Sequence, residues 1–151
     1  MSEPTSPARV AVIQLDPQVG MANRANNLLQ SIAMATEAVN GGANLIVLPE
    51  LSACGYFFSS RQDAFDHAES IPNGASFRAW IDFACTHQVY LVAGLNEIEG
   101  MQLFNTAVLL GPDGLSASTV KLIYGTWKSF GSHLAILVFP CLKHRSVVLA
   151  C

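Results

Sequence analysis

Residues 44–50 read Asn-Leu-Ile-Val-Leu-Pro-Glu. The four residues Leu45 to Leu48 are apolar without alternation, and Ile46 and Val47 are β-branched. Such a run suits a strand buried on both faces, as in a parallel sheet covered by helices. Pro49 has no N–H to give to a ladder, so it ends the strand. Glu50 is thereby delivered at the strand's C-terminal end, where open α/β sheets place their ligands.

The flanking segments agree with that reading. Upstream, Leu28, Ile32, Ala35 and Val39 fall at helical spacing within 22–40, and Gly41-Gly42 supplies a stop. Before them, Arg9 to Leu15 (RVAVIQL) is apolar and β-branched, a second strand. Downstream, the spacing of Phe77, Trp80, Ile81 and Ala84 predicts a helix over 76–87. Val89 to Ala93 and Phe104 to Leu110 read as further strands, and Gly111-Pro112-Asp113-Gly114 as a turn. Strands alternating with helices predict an α/β fold with helices packed on a sheet.

Composition narrows the function classes. Hydrophobic residues make up 51% of the 151-residue chain and charged residues 13%, about half the usual charged share. The net charge of −3 gives no reason to expect nucleic acid or an anionic membrane as a partner. The longest strongly apolar run near the end, Leu134 to Pro140, is too short to span a bilayer. The start MSEPTSPA (1–8) reads as a short disordered tail without the features of a signal peptide. Cys54, Cys85, Cys141 and Cys151 form no CxxC and no metal-ligand spacing with histidines, so no metal or cofactor is expected and a cytoplasmic, reduced setting fits. His67, His87, His133 and His144 share no spacing and receive no role.

Three stretches in combination carry a resemblance: VAVIQLDPQVGMANRANNL (10–28), GANLIVLPELSACGY (42–56) and VYLVAGLNEIEGMQLFNTAVLLGPDG (89–114). Together they resemble the nitrilase superfamily of carbon–nitrogen hydrolases over residues 9–114. The resemblance implies part of a four-layer αββα sandwich, incomplete here, so that one face or edge of the sheet is left open. It implies hydrolysis of a non-peptide C–N bond in a small-molecule nitrile, amide or N-carbamoyl amine, by a Cys nucleophile, a Glu general base and a Lys that stabilises the oxyanion. For an intact member it implies a homo-oligomer. Glu50 matches the general base by motif. Tyr56 either lines the substrate pocket or is a half-buried core tyrosine. Asn105 either supports the site through a hydrogen bond or is an ordinary polar strand residue. Cys54 is set aside as nucleophile, because loop residues so close in sequence rarely converge as base and nucleophile. A non-catalytic binding module on the same fold is the alternative reading.

After the GPDG turn the pattern breaks. The family continues with Y-R-K-x-H, then P-G, then a Cys followed by an aromatic and an acid. Residues 116–151 contain none of these. The charge balance changes at the same place. All eleven acids lie at or before Asp113 with four of the bases, giving −7, whereas 114–151 carry four bases and no acid, giving +4. Codons taken one frame away admit the family's residues. Ser118 into Thr119 allows Tyr, Thr119 into Val120 Arg, Val120 into Lys121 Lys, and Trp127 into Lys128 forces Glu. The expectation is therefore a reading-frame change near Leu115 to Ser118, an aberrant segment over 115–151, and a polypeptide without the nucleophile. Lys121 is a weak candidate for the stabilising lysine, since it shares codon bases with that position but not the motif.

Overall fold

The computed structural model describes residues 7–122. Five strands form one sheet in the order β1 (Val10–Val12), β2 (Leu45–Val47), β3 (Tyr90–Glu99), β4 (Gln102–Gly111) and β5 (Gly114–Leu122). β1, β2 and β3 run parallel, and β3, β4 and β5 antiparallel. The helices are α1 (Arg24–Asn40), entered through a 3-10 turn at Met21–Asn23, α2 (Arg61–Asp66) and α3 (Ala75–His87). The α/β class expected from the alternation is therefore present.

The pairing assigns side chains to faces, because directly opposed residues point the same way. Ala11, Ile46, Leu91 and Leu110 form one row, with Ala93 and Val108 beside it. These side chains meet Ala35 of α1 and Phe77, Trp80 and Ala84 of α3 in the main core. The opposite face carries the row Val12, Val47, Val92, Leu109 and Ala117. Here Val12 is 78% exposed, and Val47, Val92, Leu109 and Ala117 are only partly covered. Among the described residues, helices α1 and α3 thus cover one face, while the row of apolar side chains on the other is exposed or only partly covered. Such a surface favours association. Sedimentation velocity is expected to show a mass that rises with protein concentration, and Val12→Lys to reduce that rise. A single concentration-independent monomer in the unsubstituted protein would count against it.

Several elements differ from expectation for physical reasons. β3 continues past Ala93 through the polar residues Asn96, Glu97 and Glu99. Each inward polar group finds a partner: the Asn96 amide donates to the Ala64 carbonyl at 2.7 Å and the Thr106 hydroxyl to Glu97 at 2.6 Å. The face of α1 is shifted, with Asn27 and Ser31 fully buried beside Ala35, while Leu28, Ile32 and Val39 are partly buried. α2 was not expected; Ser60 caps it by accepting from the Asp63 N–H at 3.0 Å. A strand after the turn was not expected. β5 pairs with β4 as far as Leu122, because the Pro112-Asp113 turn sets the register and the small and β-branched residues that follow suit a strand. Residues 1–6 and 123–151 lie outside the described residues, and with them most of the segment read as aberrant.

Candidate active site

Glu50 stands three residues beyond Val47, at the C-terminal end of β2. The strand's last tie to β3 is Leu48 N–H to the Val92 carbonyl, 2.9 Å, and the chain then arches over β3. Ser52 N–H returns to the Gly94 carbonyl at 3.0 Å, and Gly55 N–H closes a turn on the Leu51 carbonyl at 2.9 Å. Leu51 adopts φ +47°, a left-handed conformation uncommon for a leucine and maintained only where the surroundings enforce it. Its buried side chain packs with Cys54, Phe58 and Ala64 in a second small core. Asn27 of α1 pins the far side of the loop by donating to the Ala53 carbonyl at 3.1 Å.

Gly94 permits this arch. A Cβ there would lie 2.7 Å from Glu50 Cα and 2.9 Å from Leu51 N, both backbone atoms. Gly94 is paired with Ala107, so that missing side chain belongs to the open face of the sheet. Glu50 consequently sits above the open face, opposite the helices. Its side chain is exposed, and Asn105 Nδ2 of β4 donates to its Oε1.

Tyr56 is half-exposed at 49%. Partial burial pushes its phenol above the usual range, and the charges of Glu50 and Cys54 add to that. Lys121 is opposed to Asn105 in the β4–β5 register; its side chain lies outside the described residues.

The cysteines behave differently from one another. Cys54 is buried and its Sγ donates to the carbonyls of Gly55 at 3.5 Å and Leu51 at 3.9 Å. Burial pushes its thiol from 9.0 up to about 12, against the lowering effect of the Arg24 charge. A neutral thiol at physiological pH is a poor nucleophile. Because the folded value lies above the unfolded one, the protonated, folded form persists below about 9, and stability falls as pH rises from there towards about 12. Native protein at pH 8 is expected to leave Cys54 unalkylated by iodoacetamide, as read by peptide mass spectrometry, with alkylation appearing on urea unfolding. Rapid native labelling would contradict this. Cys85 sits on α3 with its Sγ 3.7 Å from the Gly111 carbonyl, away from Glu50's face. Cys141 and Cys151 lie outside the described residues, as do His133 and His144.

Gly94 and Asn27 escaped the reading of the sequence as site-shaping residues. The signal for Gly94 was present, since a glycine inside a strand often marks close backbone approach. For Asn27, a polar residue in a helical stretch carries no comparable mark. Arg24 and Glu69 form a further ion pair beneath the loop, with Ser76 donating to the same carboxylate through its N–H at 2.9 Å and its hydroxyl at 2.6 Å. Among the described residues no group of three or more His, Cys, Asp or Glu could hold a metal ion, and no helix is long and apolar enough to cross a membrane.

The arrangement is an exposed carboxylate at a sheet end, hydrogen-bonded by the neutral amide of Asn105. The profile of the carbon-nitrogen hydrolase family matches residues 9–129. The chain belongs to that family. It is 39% identical over 114 residues to a nitrilase of Pyrococcus abyssi (strain GE5 / Orsay), covering 76% of this chain and 43% of that one. Against the omega-amidase NIT2 of Danio rerio it is 34% identical over 120 residues, 77% of this chain and 40% of the relative. The crystal structure of a carbon-nitrogen hydrolase from Helicobacter pylori G27 superposes with a TM-score of 0.65 at 24% identity, covering 76% of this chain and 39% of that one. The fold is thus that of nitrilase-type proteins. The chain spans less than half the length of these curated relatives, and the family match runs 15 residues past position 114.

Proposed function

We propose that the chain carries the general-base half of a hydrolase site for a non-peptide C–N bond in a small nitrile, amide or N-carbamoyl amine. Glu50 is the base in this reading. Its carboxylate takes the proton of a cysteine thiol as the sulfur attacks the carbonyl or nitrile carbon. A lysine ammonium receives the charge that develops on the carbonyl oxygen or nitrile nitrogen. For an amide, the proton returns from Glu50 to the departing nitrogen, ammonia leaves, and water then cleaves the thioester. Lys121 is the candidate cation, supported by its register position opposite the asparagine that holds Glu50. Tyr56 borders the substrate. The intact enzyme works as a homo-oligomer.

The observation that carries the reading is the Glu50 carboxylate, exposed at the end of β2 and held by Asn105. The names of the nitrilase and omega-amidase relatives support nitriles and amides; the N-carbamoyl amine rests on the family resemblance. The residues 115–151 are read as departing from the family frame, so the 151-residue polypeptide supplies the base without the nucleophile. The test restores the family frame after Gly114 and follows ammonia release from a panel of nitriles, amides and carbamoyl amines. Glu50→Gln is expected to abolish that release; undiminished turnover would remove Glu50 from the role of base.

A further inference from the structure

We propose that Asn105 is a positioning residue for Glu50, fixing one carboxylate oxygen from the neighbouring hairpin so that the other is presented to the reacting group; this rests on reading Glu50 as the base. Three features support it. First, Asn105 is a polar residue between Leu103 and Ala107 on the same face of β4, where an apolar residue would continue the pattern. Second, its cross-strand partner Asn96 cannot substitute for it, because the Asn96 amide is committed to the Ala64 carbonyl at 2.7 Å. Third, Asn105 Nδ2 engages Oε1, while Oε2 has no partner among the described residues.

The chemistry of the donor matters. A primary amide is neutral and donates without cancelling the carboxylate's charge. A lysine or arginine in its place would form a charge-assisted pair and hold the carboxylate ionised against protonation. An amide therefore orients a base and leaves it able to accept a proton. Gly94 completes the device. With no Cβ in the way, Glu50 Cα can approach the sheet closely enough for a side chain from β4 to reach the carboxylate.

The test uses proton–nitrogen correlation spectra of the 151-residue protein, dilute enough to suppress association through the open face. The Asn105 side-chain amide signals are expected to move on acidification, and that movement to vanish in Glu50→Gln while signals elsewhere stay in place. The two Glu50 Hγ protons, distinct in the unsubstituted protein, are expected to average to one shift in Asn105→Ala. Asn105→Asp has the same shape without the donor, so it should average them too; a space-filling role would keep them distinct. An Asn105 amide indifferent to both acid and Glu50→Gln overturns the proposal, as does an Asp variant that retains two Hγ shifts. Should the Asn105 variants not fold, the Glu50→Gln comparison still decides. A held carboxylate in a frame-restored domain whose turnover survives Glu50→Gln would sink the base reading alone. Turnover that depends on Glu50 while Asn105 is silent would sink this proposal alone.

Discussion

The 151-residue polypeptide is expected to release no ammonia above background from nitriles, amides or N-carbamoyl amines, whereas the frame-restored domain turns over at least one of them. The reasoning concerns sulfur. Covalent hydrolysis needs a thiolate beside Glu50. Cys54 is near in sequence but its thiol is neutral, pushed up to about 12 by burial, and its Sγ is directed at the Leu51 and Gly55 carbonyls. Cys85 belongs to the helix-covered side. Cys141 is followed by Leu142 and Lys143, not by the aromatic and acid that follow the family's nucleophile, and Cys151 stands in the segment read as out of frame. Removing a covalent nucleophile costs roughly a million-fold in rate in a serine hydrolase, about 8 kcal/mol of transition-state stabilisation. Turnover in the 151-residue chain that disappears both with Glu50→Gln and with a Cys→Ser change would show that it is an enzyme as it stands. Turnover that survives Glu50→Gln but is lost with Cys141→Ser or Cys151→Ser would also overturn the choice of base.

The fold was legible where a single physical signal dominated. The run Leu45 to Leu48 followed by Pro49 located β2 and the position of Glu50, because an unbroken apolar run and a missing N–H each have few structural solutions. Periodicity located α3 through Phe77, Trp80 and Ala84, which are buried. It located α1 less well, because Asn27 and Ser31 are buried for their hydrogen bonds, to Gln18, Ala53 and Trp80. Hydrophobic spacing cannot register such positions. The extension of β3 was hidden for the same reason: Asn96 and Glu97 read as the end of a strand until their partners, Ala64 and Thr106, are known. Those partners are 32 and 9 residues away. At the site, Glu50 came from motif and strand position, and Asn105 was visible only as one of two open readings. Its contact spans 55 residues and depends on Gly94 allowing the loop to settle. No local pattern encodes a distance of that kind. β5 shows the reverse case. No strand was read after the turn, yet strand pairing asks only for extended, small or β-branched residues there, and LSASTVKL meets that requirement.

Trp80→Ala is expected to abolish cooperative unfolding of the chain under native conditions. Trp80 is fully buried between α1, α3 and the sheet, in the same cluster as Ile46, Leu91 and Leu110. Truncating a buried aromatic to alanine costs about 3–5 kcal/mol, through lost transfer energy and an unfilled cavity. A domain of ordinary stability has about 5–15 kcal/mol in total, and a sheet with one open apolar face should lie towards the lower end. The indole also makes a polar contact. Its Nε1 donates to Ser31 Oγ at 2.9 Å, and Ser31 Oγ donates to the Leu28 carbonyl at 2.7 Å. Trp80→Phe separates the two contributions. It keeps most of the ring but loses the indole donor, a net loss of about 1 kcal/mol for the hydrogen bond plus the smaller ring's unfilled volume. Urea unfolding followed by far-ultraviolet circular dichroism should therefore give a lowered midpoint for Trp80→Phe and, for Trp80→Ala, no transition or one beginning in the absence of urea. An alanine variant with a midpoint equal to that of the unsubstituted protein would show that the core between α1, α3 and the sheet is not what holds the fold.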